Sequence, residues 1–210
     1  MFFSNVYFIT GNAYAGKSTM VELLAKEYNG YWCKENYHNS MLDKLDKNEY
    51  PNLCYTRDLV DFHDFIRRSP DEYEKWVNEV SKECERIELI LLDEISKKED
   101  IVFVDTNISI ETLKKICEPS HVLIMLADPQ ISVRRFFERS DKDKQFLYKL
   151  IMEEKDSKAA MYNFRKCLER INSIDNYNEY LNSGFNVIIR DENRTVKETL
   201  EIVKKCFKLK

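Results

Sequence analysis

The stretch Gly11-Asn-Ala-Tyr-Ala-Gly16-Lys17-Ser18-Thr19 constrains this chain more than any other. It fits Gly-x-x-x-x-Gly-Lys-Ser/Thr. An apolar run, Val6-Tyr-Phe-Ile-Thr10, leads into it, and a helical pattern, Met20-Val-Glu-Leu-Leu-Ala-Lys26, leads out. A strand, a glycine loop and a helix in that order form the setting in which such a loop wraps phosphate. Chance alone would bring the fixed residues together in about one chain in a hundred of this size. Only four glycines occur in the chain, and two of them are here.

Each residue type in the stretch has a physical task. Phosphate oxygens need several donors aimed at one point, and backbone N–H groups supply them where no side chain intervenes. Gly11 and Gly16 allow the tight turn and the close approach. Asn12, Ala13, Tyr14 and Ala15 contribute the amides between them. The helix that follows offers unpaired N-terminal amides and the positive end of its dipole. Lys17 is expected on the β- and γ-phosphates, Ser18 on Mg²⁺, and Thr19 on the α-phosphate. The other two glycines read as punctuation: Gly30 as the residue just past the first helix, and Gly184 as a turn before the last strand.

Continuous apolar runs mark strands buried on both faces: Val6–Thr10, Ile101–Val104, Val122–Leu126 and Phe185–Ile189, with Gly30–Cys33 as a weaker second strand. Helical patterns lie between them. They cover Lys17–Tyr28, a long region from about Tyr55 to Lys98 restarted at Ser69-Pro70, Ser109–Cys117, Pro129–Arg139 and Lys144–Ile171. Asp128 reads as an N-cap, and Thr195-Val-Lys-Glu198 as a capping box that opens the last helix. Alternating strands and helices predict an α/β fold with a mainly parallel sheet, whose ligands sit at the C-terminal strand ends. The whole chain reads as a single domain. Residues 36–100 are too long for a simple crossover and are expected to form a helical insertion that binds the second substrate.

Several other residues are placed for chemistry. Asp105 ends an apolar run; beside the loop it would hold Mg²⁺ through water or take a proton from an attacking hydroxyl. Glu35, after the second strand, is the other candidate base, with Tyr37 and His38 nearby. Arg135 and Arg139 are four apart, on one helix face, and are expected to close over the transferred group as part of a short lid at 135–147. Arg57, Arg67 and Arg68 lie in the insertion and would suit an anionic acceptor. Tyr73 and Trp76 share a helical face and read as core. The loop Arg190-Asp-Glu-Asn-Arg194 is placed to cover a purine.

These features together resemble the small P-loop kinases of the shikimate kinase, adenylate kinase and cytidylate kinase group. The likeness rests on the N-terminal loop, the strand-end Asp105, the Leu126-Ala-Asp128-Pro129 to Arg139 segment and the closing Asn186–Leu200 stretch. It covers the two ends of the chain and not the middle. The resemblance implies a three-layer α/β/α sandwich of the P-loop NTPase type, its five parallel strands in order 2-3-1-4-5. It further implies ATP and Mg²⁺ as cofactors and a phosphotransferase activity. The Gly-Gly pair of shikimate kinases, the Asp-Gly-x-Pro-Arg of adenylate kinases and the Glu-Arg-Ser of deoxynucleoside kinases are all missing. The acceptor, a small molecule or a nucleotide, is therefore left open. A nucleotide-binding switch without an acceptor is the alternative reading, although no Asn/Thr-Lys-x-Asp guanine motif follows a strand.

Composition narrows the partners. Acidic and basic residues nearly balance at a net charge of −4, which disfavours a nucleic-acid partner. The basic tail Lys204–Lys210 reads as a solvated helix end. Six cysteines match no zinc spacing and no Cys-x-x-Cys, so they read as reduced and structural in a cytoplasmic protein. The first apolar run lacks a basic leader and reads as a strand, not a signal peptide. No run is long enough to cross a membrane. Monomer and homodimer remain equally open.

Overall fold

The computed structural model describes residues 1–138 and 142–209. Five strands form one parallel sheet: β1 Val6–Gly11, β2 Tyr31–Cys33, β3 Val102–Asp105, β4 Val122–Leu126 and β5 Asn186–Ile189, in spatial order β2-β3-β1-β4-β5. β1 is central. Its Ile9 lies beside Asp105 of β3, and its Gly11 beside Met125 of β4. That register brings the ends of the three inner strands to one edge, with the glycine loop leaving from the middle.

Among the described residues ten α-helices connect and surround the strands: α1 Lys17–Glu27, α2 Pro51–Asp58, α3 His63–Ile66, α4 Pro70–Ser96, α5 Ile110–Ile116, α6 Pro129–Arg134, α7 Lys142–Glu153, α8 Ser157–Ile171, α9 Ile174–Leu181 and α10 Val196–Phe207. The period of two along each strand sends alternate side chains to opposite faces. Phe8, Val104 and Ile124 pack with Leu92 of α4 and with Ile110 and Leu113 of α5. Ile9, Phe103 and Met125 pack with Val21 and Leu24 of α1 and with Val203 and Phe207 of α10. Both faces of the three inner strands are thus largely dry, which is why these strands read as unbroken apolar runs.

A further core lies over the helices. Phe65 and Ile66 of α3, Tyr73 of α4, Leu150 and Ile151 of α7, and Phe164 and Leu168 of α8 are buried together. Tyr73 and Trp76 belong to it, as expected. The insertion is therefore not free-standing; it shares its interior with the helices that follow β4. Ser69 and Glu72 cap α4 reciprocally, with Pro70 in its first turn. Asp128 caps α6, and Thr195 with Glu198 caps α10.

Three local expectations are corrected. Asn29, at φ 49°, and not Gly30, takes the left-handed position after α1. The Gly30 N–H then reaches back to the Ala25 carbonyl at 2.9 Å. Gly30 is small for another reason: a Cβ there would stand 2.8 Å from Ile101 Cγ2. The helix expected over Lys144–Ile171 is two helices. Asp156 caps the second by accepting from Ala159 N at 3.0 Å, while Glu154 is drawn aside by His63 at 2.7 Å and Arg67 at 2.9 Å. The helix expected over Pro129–Arg139 ends at Arg134, with Arg135 as its C-cap and a 3₁₀ turn at Phe136–Glu138.

Candidate functional site

The glycine loop owes its shape to β4, to the segment that follows it and to the residue after β5. Gly11 has φ 130°, and a Cβ there would lie 2.0 Å from the Met125 carbonyl oxygen, inside any tolerable contact. Asn12 binds β4 twice: its Nδ2 donates to the Ala127 carbonyl at 2.6 Å, and its Oδ1 accepts from Ala127 N at 2.7 Å. Tyr14 is left-handed at φ 66°; its hydroxyl donates to the Arg135 carbonyl, and its own carbonyl accepts from Arg190 Nη1 at 2.6 Å. Gly16, at φ 92°, is the N-cap of α1 and lends it no side-chain cap. The first amides of α1 are thus left for a ligand, and no carboxylate stands in its first turn to repel an anion.

Lys17, Ser18 and Asp105 meet at this point. Ser18 Oγ donates to Asp105 Oδ2 at 2.7 Å. Lys17 Nζ donates to the Asn12 carbonyl at 3.1 Å and stands 3.9 Å from Asp105 Oδ1. Asp105 is only 1% exposed, and its Oδ1 has no hydrogen-bond partner among the described residues. Burial pushes its carboxyl above the ordinary carboxylate range; Lys17 and the Ser18 hydroxyl oppose this, while Glu35 and Glu88 add to it. An orphaned carboxylate oxygen beside a hydroxyl is an oxygen donor set of the kind Mg²⁺ takes, with water filling its other positions. A divalent cation would also remove the cost of ionising Asp105.

Two cavities flank the loop. One, of about 250 Å³, lies between Ala15, Gly16 and Thr19 on one side and Arg190, Asp191 and Thr199 on the other. This is the position expected for a nucleoside held over the 190–194 loop. The second, of about 390 Å³, opens on the other side, where Gly11, Asn12 and Asn107 meet Asn78 of α4 and Tyr177 of α9.

The remaining candidates lie apart from this centre. Glu35 is exposed on a separate cavity with Lys34, Tyr37 and Ser40, although its charge is felt at Asp105. His38 is buried, its Nδ1 2.9 Å from Glu88 and its Nε2 3.3 Å from Cys84 Sγ. Arg135 is the exposed C-cap of α6, 3.7 Å from Glu138; Arg139, expected on one helix face with it, lies outside the described residues. Where it is described, the segment expected as a loose lid is helical. Phe136 and Phe137 pack on Phe164 at 5.8 and 5.9 Å, and α7 has begun by Lys142. The insertion's arginines are structural. Arg57 pairs with Asp58 and donates to the carbonyls of Leu42 and Leu45, Arg67 pairs with Glu154, and Arg68 lies over the Tyr55 ring at 4.1 Å.

Sequence reading missed Glu88. It is fully buried and accepts from Thr106 Oγ1 at 2.8 Å, so it braces the turn that follows Asp105. In the sequence it is one glutamate among many on a charged helix. All six cysteines are free, as expected. Among the described residues no helix is long and apolar enough to cross a membrane. Comparison with protein-family models, with curated proteins and with solved structures finds no match to this chain.

Proposed function

We propose that this chain is a P-loop phosphotransferase that moves the γ-phosphoryl group of ATP, with Mg²⁺, to a small acceptor. The observation that carries this is that the glycine loop, which holds Lys17 and Ser18 against Asp105, borders two cavities, one at Gly11 and Asn12 and one at Ala15, Gly16 and Thr19. A nucleotide switch needs one cavity beside its phosphate loop; transfer needs a second, on the far side of the γ-phosphate.

In this reading the amides of residues 12–18 and the start of α1 hold the triphosphate, and the 190–194 loop borders the nucleoside. Lys17 leaves the Asn12 carbonyl for the β- and γ-phosphates. Ser18 and Asp105 would hold Mg²⁺, which supplies charge neutralisation at the phosphates. Transfer then rests on positioning and fixed charge, with no covalent enzyme intermediate.

Following ADP release with ATP and Mg²⁺, over a panel of alcohols, nucleosides and nucleoside monophosphates, tests the reading. An acceptor-dependent rise that Lys17→Ala abolishes supports it. Calorimetry on folded protein that detects no uptake of Mg²⁺-ATP would sink it, and acceptor-independent release alone would turn it into the switch.

A further inference from the structure

We infer that the acceptor is an uncharged, hydroxyl-bearing molecule of sugar or nucleoside size, and not a phosphorylated or carboxylated one. The inference rests on the phosphotransferase reading and concerns the 390 Å³ cavity beside Gly11 and Asn12.

Two features of that cavity set the chemistry of its occupant. The first is charge. Among the described residues that line it, none is a lysine or arginine, and its one ionisable acid is Glu179. An anionic acceptor would enter beside a carboxylate with no cation in the lining to meet it, an arrangement that like charge disfavours. The arginines of the insertion, which would otherwise serve, are engaged elsewhere: Arg57 by Asp58, Arg67 by Glu154, and Arg68 and Arg86 over the rings of Tyr55 and Tyr50.

The second feature is hydrogen-bond polarity. Asn172 Nδ2 donates to the Leu168 carbonyl at 2.9 Å, and Asn176 Nδ2 donates to the Ile171 carbonyl at 3.0 Å. Asn107 Nδ2 donates to Asn36 Oδ1 at 3.4 Å. In each case one N–H of the amide is used, and the other N–H and the amide oxygen remain for a ligand. Glu179 adds acceptors, and the serine and tyrosine hydroxyls of the lining can act either way. Their complement is a group that both donates and accepts, as a hydroxyl does. Ionised phosphate and carboxylate carry only acceptors and would leave the amide oxygens unpaired. The Asn78 amide, which makes no hydrogen bond among the described residues, can serve a ligand group of either kind.

The cavity is large enough for a ligand of this size, since small-molecule sites begin at about 300 Å³. Its edge at Asn12 and Asn107 brings a hydroxyl towards the phosphate loop. There the hydroxyl oxygen bonds the γ-phosphorus, the bond from that phosphorus to the β–γ bridging oxygen breaks, and ADP leaves with the electron pair. The hydroxyl proton passes to solvent.

Matched pairs test this on the full chain: nucleosides against their 5′-monophosphates, and sugars or polyols against their phosphates, read by ADP release with ATP and Mg²⁺. The expected result is a rise with an uncharged member that exceeds its phosphorylated partner by about tenfold or more in kcat/KM. Which series responds separates nucleoside from sugar. Asn78→Ala should raise KM for that acceptor about tenfold while ATP affinity, measured by calorimetry, stays unchanged. Glu179→Gln should narrow the preference over the phosphorylated partner. The inference is overturned if ATP binds but the phosphorylated member of each pair is preferred. It is also overturned if ATP binds and no uncharged acceptor raises ADP release. Failure to bind ATP at all is a different result, since it removes the underlying phosphotransferase reading.

Discussion

Ser18 Oγ and Asp105 Oδ2 lie 2.7 Å apart, joining the first turn of α1 to the end of a strand 87 positions later. The parallel pairing of β1 with β3 makes this contact possible, because it sets Ile9 level with Asp105. The bond leaves the second oxygen of Asp105 without a partner at the point where phosphate charge would gather.

That orphaned oxygen has a pH consequence. Burial raises the Asp105 carboxyl above its ordinary value of 3.8. A group whose folded value is raised favours folding while protonated, and this contribution is lost as pH rises through the folded value. Asp105→Asn should therefore melt at a higher temperature than the parent chain at pH 7 in the absence of ligand. The advantage should vanish below about pH 4, where Asp105 is protonated in both states. Metal-dependent nucleotide binding should run the opposite way. It should weaken in the parent chain as pH falls through the raised value and be lost in the variant at all pH. Thermal melts and calorimetry across pH 3–8 read both.

Gly11→Ala is expected to be severe. Its Cβ would meet the Met125 carbonyl at 2.0 Å, and the backbone angle disfavours any side chain. Moving β4 away would also break the double hydrogen bond between Asn12 and Ala127. A loss of about 3 kcal/mol or more is expected in urea unfolding, with nucleotide binding lost in any folded fraction.

Lys17→Ala should leave the fold intact, because the ammonium's partners are one carbonyl and a carboxylate 3.9 Å away. Triphosphate affinity should fall about 10- to 100-fold, the range of a hydrogen bond to a charged group. Calorimetry with Mg²⁺-ATP, alongside circular dichroism of the same sample, checks it.

Glu83 is buried on α4 and caps another helix. It accepts from Leu53 N at 2.8 Å and from Asn52 Nδ2 at 2.7 Å, at the start of α2, where the N-cap Tyr50 offers no side-chain bond. Glu83→Ala should cost about 1–3 kcal/mol in chemical denaturation, and Glu83→Gln distinctly less.

The sheet and the shape of the glycine loop were legible because their signals are local. Dry strands show as apolar runs, caps such as Asp128 and Thr195 sit next to what they cap, and the loop needs its glycines in fixed places. What escaped depends on distant partners. The break between α7 and α8 follows from Glu154 being held by His63 and Arg67, which lie some ninety positions earlier. Glu88 looks like any exposed helix glutamate until the fold buries it against His38 and Thr106. Arg135 was read as a helix-face residue because nothing in Arg134-Arg135-Phe136 announces that the helix stops there. The cavity proposed for the acceptor combines residues from α4, α9 and the turn after β3, a set no sequence spacing predicts.

The middle of α4 has a consequence for how an acceptor would arrive in the proposed reading. Glu83 grips the start of α2, Glu85 grips Ser109 and Thr112 at the start of α5, and Glu88 grips the Thr106–Asn107 turn. A helix fastened at three levels does not swing as a gate. If the cavity beside it is the acceptor site, it is built before anything enters, and the free protein already carries the shape by which it would choose. Entry should then be governed by diffusion through a standing doorway, with little ordering cost left for the encounter itself.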